Sequence, residues 1–261
     1  MNRMEFGTQN TPVLMLLHGG GLSWWNYRQA AERLSRKYHV VLPILDGHAG
    51  SDAPFTGIED NARHLLDWID LHFGGHICLL GGLSLGAQIA VELLSQRPNL
   101  CDYALLESPA LIPDRLTSAL ISPAFSASYG LIAQEWFARL QFRSLRMPEE
   151  LFADYFRDTG RISKGDLIAF TRASTDYQLP EGLSSTSARV RIVVGQREGR
   201  RMHRSAGLLH RAVPGSALTV AEGLYHGEYS MKYPERFSEE LEAWMLQGDT
   251  GENAANCAGI Q

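Results

Sequence analysis

Cysteine is scarce here: three in 261 residues, at positions 78, 101 and 257. No CxxC or Cys/His spacing joins them, so the sequence gives no grounds for a metal site or a disulfide framework. Cys78, inside an apolar run, reads as a small buried hydrophobe. No uninterrupted apolar run approaches the roughly 18 residues of a membrane span, and residues 1–7 lack the apolar stretch of a secretory signal. Lys and Arg form no block and the net charge is −5, which argues against nucleic acid as a partner. Internal repeats are absent too. What is left is a soluble chain in a reducing compartment, with a cytoplasmic location as the expectation.

Apolar residues make up 44% of the chain and charged residues 20%, enough for a sizeable core. Continuous apolar runs at residues 13–17, 39–45, 77–80, 103–107, 190–195 and 217–220 predict strands, most of them covered on both faces. Residues 3–8 predict one more short strand. Helical spacing appears at about 25–36, 58–73, 87–94, 201–212 and 234–246. Strands alternating with helices predict a doubly wound α/β fold, with a mostly parallel sheet of about seven strands. The alternation stops between the strands near 103–107 and 190–195. There the pattern gives only helical segments, near 112–121, 130–142, 148–158 and 163–174, broken at Pro113, Pro123, Pro148 and Pro180. The expected organisation is therefore a core of residues 1–110 and 185–247, a helical cap of residues 111–184, and a disordered tail over 248–261.

Within this frame the stretch Gly82-Leu83-Ser84-Leu85-Gly86 stands out, placed between a strand and a helix. A serine on so tight a turn is lifted above the sheet edge, and glycines two residues to either side leave room where strand and helix crowd together. An activated serine needs a base, an acid to orient that base, and donors for an oxyanion. Backbone N–H groups can serve as donors where glycine lets the chain come close. Gly20, in His18-Gly19-Gly20-Gly21, and Leu85, just after the serine, are the candidates, with Gly21 as substitute if the loop is shifted. His18 itself reads as structural, bonded to loop backbone. In open α/β sheets ligands bind at the carboxyl ends of the strands, where His18, Asp46, Ser84, Glu107 and Glu198 all fall.

Taken together, His18-Gly19-Gly20-Gly21, Asp46-Gly47-His48-Ala49-Gly50-Ser51, Gly82-Leu83-Ser84-Leu85-Gly86 and the final His226 resemble the α/β-hydrolase superfamily. Gly195-Gln196-Arg197-Glu198 with His226-Gly227-Glu228-Tyr229 is similar to a small bacterial subgroup of it. The resemblance covers about residues 11–108 and 187–246. It implies Ser84 as nucleophile and His226, after the last strand, as base. Glu198 stands where the family usually carries Asp; Glu107, at the end of the fifth strand of the alternating series, is the competing acid, and Glu198 is favoured.

The implied activity is that of a cofactor-free serine hydrolase, carboxylesterase-like, acting on a small-molecule ester without nucleic acid or membrane as partner, as a monomer or homodimer. Thioesterase, lactonase, C–C hydrolase or acyltransferase chemistry remains open on the same residues, as does a non-hydrolytic receptor or lyase. Most aromatics of residues 111–180 are expected to pack cap on core. Trp24, Leu111, Phe125, Tyr129, Trp136, Phe137 and Tyr155 are the candidates for lining a mostly apolar pocket. No cluster of Arg or Lys at an expected site calls for a carboxylate or phosphate on the substrate.

Overall fold

The computed structural model describes residues 1–248. Among these, β1 (Arg3–Phe6), β2 (Val13–Leu17), β3 (His39–Pro43), β4 (Ile77–Leu83), β5 (Cys101–Glu107), β6 (Arg189–Gly195) and β7 (Ala217–Ala221) form one sheet in the order β1-β3-β2-β4-β5-β6-β7. Only β1 runs antiparallel to its neighbour; the other pairings are parallel. The continuous apolar runs have the expected cause. Leu14 and Leu16 of β2 enter the core on one face of the sheet, and Met15 and Leu17 enter the core on the other. Pairing of β3 with β2 stops at Val41, so Pro43 ends the strand where its missing N–H takes no bond from that ladder.

On one face pack α2 (Ile58–Phe73), α3 (Leu85–Gln96) and α8 (Arg200–Ala212); on the other pack α1 (Arg28–Leu34) and α10 (Pro234–Gly248). Helical spacing predicts α2 at its observed bounds, and left-handed Gly74 caps its end with an N–H donated to the Ile69 carbonyl. The single helix expected over 25–36 is instead a tight 3-10 turn, Trp24–Tyr27, followed by α1. The expected tail, residues 248–261, lies outside the described residues except for Gly248, the last residue of α10. Among the described residues no helix is long and apolar enough to cross a membrane.

Between β5 and β6 the chain forms α4 (Arg115–Ser128), α5 (Glu135–Ser144), α6 (Phe152–Thr159) and α7 (Lys164–Asp176), and no strand. The break expected at Pro123 does not occur: α4 continues through it. Pro123 faces solvent there, so the carbonyl that loses its helical partner can turn to water. These helices are tied into the core at α6 and α7. Trp25 Nε1 and the Arg28 guanidinium donate to Asp158 and Asp154 of α6, each at 2.8 Å. Phe170 and Tyr177 are buried with the α2–α3 core, and Tyr177 Oη donates to Glu92 at 2.8 Å.

The connection leaving β2 goes to β3 on one side, and the one leaving β4 goes to β5 on the other. The loops diverge above the adjacent carboxyl ends of β2 and β4, opening the crevice in which such sheets bind ligands.

Candidate active site

Ser84 occupies the turn from β4 to α3 with φ 54° and ψ −112°, a left-handed φ that costs a non-glycine residue about 1 kcal/mol or more. The neighbours hold it there. Its N–H donates to the Glu107 carbonyl (2.8 Å), and the Gln88 N–H donates to its own carbonyl (2.9 Å). A Cβ on Gly82 would run into the backbone of Gly86 and Ala87, and one on Gly86 into the carbonyls of Leu17 and His18. Glycine is therefore required at both positions by the close approach of β2, β4 and α3.

His226 lies in the loop between β7 and the short helix α9 (Glu228–Met231). Left-handed Gly227 follows it, and a Cβ there would stand 3.3 Å from the side chain of Leu83, the residue preceding the serine. The loop thus packs directly against the turn that carries Ser84. His226 Nδ1 donates to Glu198 Oε2 at 2.7 Å. The other oxygen, Glu198 Oε1, accepts from the Gly195 N–H (2.7 Å) and from Ser108 Oγ (2.6 Å). The carboxylate is 4% exposed and the imidazole 42%. Burial alone would raise the Glu198 pKa; the His226, Ser108 and Gly195 bonds outweigh it and the net shift is downward. For His226 desolvation works to lower the pKa, and Glu198 with a smaller push from Glu107 turns the net shift upward.

Of the two carboxylates weighed from sequence, Glu198 is thus the one bonded to the imidazole. Glu107 is buried at the end of β5, where burial pushes its carboxyl up to about 7. Its Oε2, Tyr27 Oη and Ser230 Oγ make no well-formed hydrogen bond among the described residues, although Ser230 is close enough to oppose part of that rise.

The opposite wall is the loop after β2. His18 Nδ1 donates to the Gly19 carbonyl (2.9 Å) while its Nε2 accepts the Leu45 N–H (3.1 Å). His48 repeats the arrangement: Nδ1 donates to the Asp46 carbonyl (3.0 Å) and Nε2 accepts the Gly21 N–H (3.0 Å). Asn26 Oδ1 takes the Gly19 N–H at 3.1 Å. These bonds correct one expectation: Gly21 is not a spare oxyanion donor, because its N–H is already given to His48. The N–H groups of Gly20 and Leu85 form no hydrogen bond among the described residues. The two residues are also adjacent, since a Cβ on Gly20 would sit 3.5 Å from the Leu85 side chain. Ser84 Oγ likewise makes no hydrogen bond among the described residues.

A cavity of about 420 Å³ opens beside His226 and Glu198, walled by Arg146, Arg197, Arg201, Met202 and Tyr225 among others. None of the seven residues expected to line a pocket borders it. Leu111 and Tyr155 are buried in the cores; Trp136 is 62% exposed and meets Phe137 edge to face. Tyr129 spends its hydroxyl on the Ile162 carbonyl at 2.7 Å. Trp24 lies under the Arg28 guanidinium, and Phe125 is half-buried in α4. The expectation of no arginine cluster is also corrected, for the wall carries three. Sequence reasoning missed Ser108 as well, a non-glycine residue at φ 53° whose hydroxyl reaches Glu198. Its place just beyond a strand's carboxyl end was the available signal.

A model of the alpha/beta hydrolase family matches residues 14–240. An uncharacterised protein of Mycobacterium tuberculosis is 24% identical, the match covering 93% of this chain and 77% of that one. Among solved structures, a thermophilic esterase from Thermogutta terrifontis superposes with TM-score 0.75 at 20% identity over 94% of this chain and 93% of the other. The enol-lactonase of Burkholderia xenovorans does so with TM-score 0.77 at 16% identity over 94% and 96%. At such identities the two structures speak for the fold.

Proposed function

The chain belongs to the alpha/beta hydrolase family, and from that premise we propose that it is a serine hydrolase cleaving a carboxylic ester of a mostly apolar small molecule through an acyl-enzyme. The observation that carries the reading is the relay behind His226. Its Nδ1–H is bonded to a buried carboxylate that itself holds two further donors, in a loop packed on the residue before Ser84.

With Nδ1–H fixed, Nε2 is left as the basic nitrogen. It takes the Ser84 proton as Oγ attacks the ester carbonyl, and Glu198 stabilises the imidazolium that forms. The Gly20 and Leu85 N–H groups, which bond to nothing among the described residues, receive the oxyanion. One such donor is worth about 3 kcal/mol of barrier. His226 then protonates the leaving alkoxide, and water attacks the acyl-enzyme with the same base. The serine–imidazole hydrogen bond is the contact this reading adds, and such contacts often tighten only when substrate binds. Glu in place of the usual Asp was the one feature favouring a ligand-binding protein; the three bonds to Glu198 support an orienting role instead.

A serine-directed fluorophosphonate tests this. Mass spectrometry should find one adduct, on Ser84, formed rapidly in the native protein and lost in His226→Ala. An adduct elsewhere, or labelling indifferent to His226, contradicts the reading.

A further inference from the structure

Two of the arginines in the wall of the 420 Å³ cavity have no carboxylate partner among the described residues. The Arg146 guanidinium lies 3.9 Å from the centre of the Tyr225 ring and that of Arg197 lies 5.4 Å from it. Neither forms an ion pair or a side-chain hydrogen bond among the described residues, whereas Arg201 is bound to Asp114. Glu228, whose charge Arg146 feels, is already committed to Lys232 Nζ (3.0 Å) and the Tyr225 N–H (2.9 Å).

Two like charges are thus gathered on one ring, one from the connection after α5 and one from the loop after β6, with their hydrogen-bond donors unspent. Arg146 does so from a backbone at φ 56°, in the left-handed region that a non-glycine residue rarely adopts. The first turn of α8 opens on the same cavity at Gly199 without a side-chain cap, and a helix start favours negative charge. Tyr225 is the residue preceding His226, so whatever binds there is held next to the proposed base.

From this we infer that the substrate carries an anionic oxygen group, carboxylate or phosphate, held between the Arg146 and Arg197 guanidinium groups over Tyr225. Guanidinium forks match such groups in a bidentate way that an aromatic platform pre-orients. The cap and core would then be bridged by the ligand itself. The inference rests on the serine-hydrolase reading only for the word substrate; the site itself can be tested without turnover.

The experiment is calorimetric binding to Ser84→Ala protein of monomethyl glutarate, dimethyl glutarate and inorganic phosphate. The monoanion should bind about tenfold more tightly than the neutral diester, with a preference that weakens in salt. Arg146→Gln and Arg197→Gln should each remove most of that preference, and Arg146→Lys should keep part of it. Phosphate binding above the monoester assigns the site to phosphate, and the reverse assigns it to carboxylate. Equal binding of monoester and diester overturns the inference, as does an unchanged ratio in both Gln variants that retain the native circular dichroism spectrum. A parallel assay uses 4-nitrophenyl hydrogen glutarate and its methyl ester with native enzyme. If neither is cleaved while the binding preference stands, the hydrolase reading falls and this one holds; if both are cleaved alike without a preference, the opposite follows.

Discussion

Three imidazoles flank the loops that meet at Ser84, and they sit in two electrostatic settings. His18 and His48 are buried, each with Nδ1–H given to a carbonyl and Nε2 taking a backbone N–H. Desolvation holds both pKa values down, that of His48 to about 4, and His18 feels His48 as a second charge it must avoid. His226 is 42% exposed and faces a carboxylate, so its pKa moves up. A neutral ring bonded at both nitrogens is a spacer that fixes the loop after β2; a ring bonded at one nitrogen to a charge is equipped to take a proton. The side chain is the same, and its neighbours decide which of the two it is.

The comparison breaks most sharply if the carboxylate is made neutral. Glu198→Gln keeps the shape but can donate to Nδ1, favouring the wrong tautomer, and kcat should fall by about 10³–10⁴-fold, as for triads that lose their acid. A loss below about tenfold in steady-state kinetics would mean that His226 does not depend on Glu198. On the other side, His48→Ala should leave Ser84 and His226 intact but free the Gly21 N–H and loosen the loop bearing Gly20. Turnover should drop by about 10–100-fold, with the pH midpoint of kcat/KM unmoved. If that midpoint shifts, His48 acts on protons and is more than a spacer.

Stability should separate the two settings with opposite signs. For His48 the folded pKa lies below the unfolded value, so between pH 6.5 and about 4 the unfolded chain binds a proton that the folded one refuses. Stability is lost as the pH falls through that window, by about 3 kcal/mol for a shift of this size. His18 adds to the loss. His226 works the other way: its raised pKa contributes stability below the unfolded value that disappears as pH rises through the folded one. Urea unfolding at pH 7, 5.5 and 4.5 should show a steep decline in the native protein and a flatter one in His48→Gln, once both are referred to their values at pH 7.

What sequence could supply follows the same line between local and assembled features. The turn carrying Ser84 was legible because its constraint is local: the Cβ clashes at Gly82 and Gly86 involve the strand and helix on either side and the end of β2. The bounds of α2 were legible from the spacing of its apolar residues. Glu198 was ranked above Glu107 by where the resembled family carries its acid; in the structure it is the carboxylate bonded to the His226 Nδ1. The cavity wall was not legible, since Arg146, Arg197 and Tyr225 meet only when the inserted helices dock on the loops after β6 and β7. The aromatics of the insertion misled because an apolar ring reads alike whether it fills a core, as Tyr155 does, or faces solvent, as Trp136 does. That Gly21 is spent on His48 required the distance between two loops 27 residues apart.

The smallest effect concerns Glu107, the acid that was not chosen by His226. Burial pushes it to about 7, so near neutrality it is partly charged, and that charge acts on the nearby imidazole. In the native enzyme the acid limb of kcat/KM should accordingly lie above pH 6.5. Glu107→Gln removes the charge without emptying the space, so the limb should move to lower pH while the plateau rate stays within a few-fold. A silent variant would mean that Glu107 is protonated throughout the working range. A plateau collapse of several orders of magnitude, with Glu198→Gln mild, would instead exchange the roles of the two carboxylates, because only the acid that holds the imidazole tautomer can cost so much.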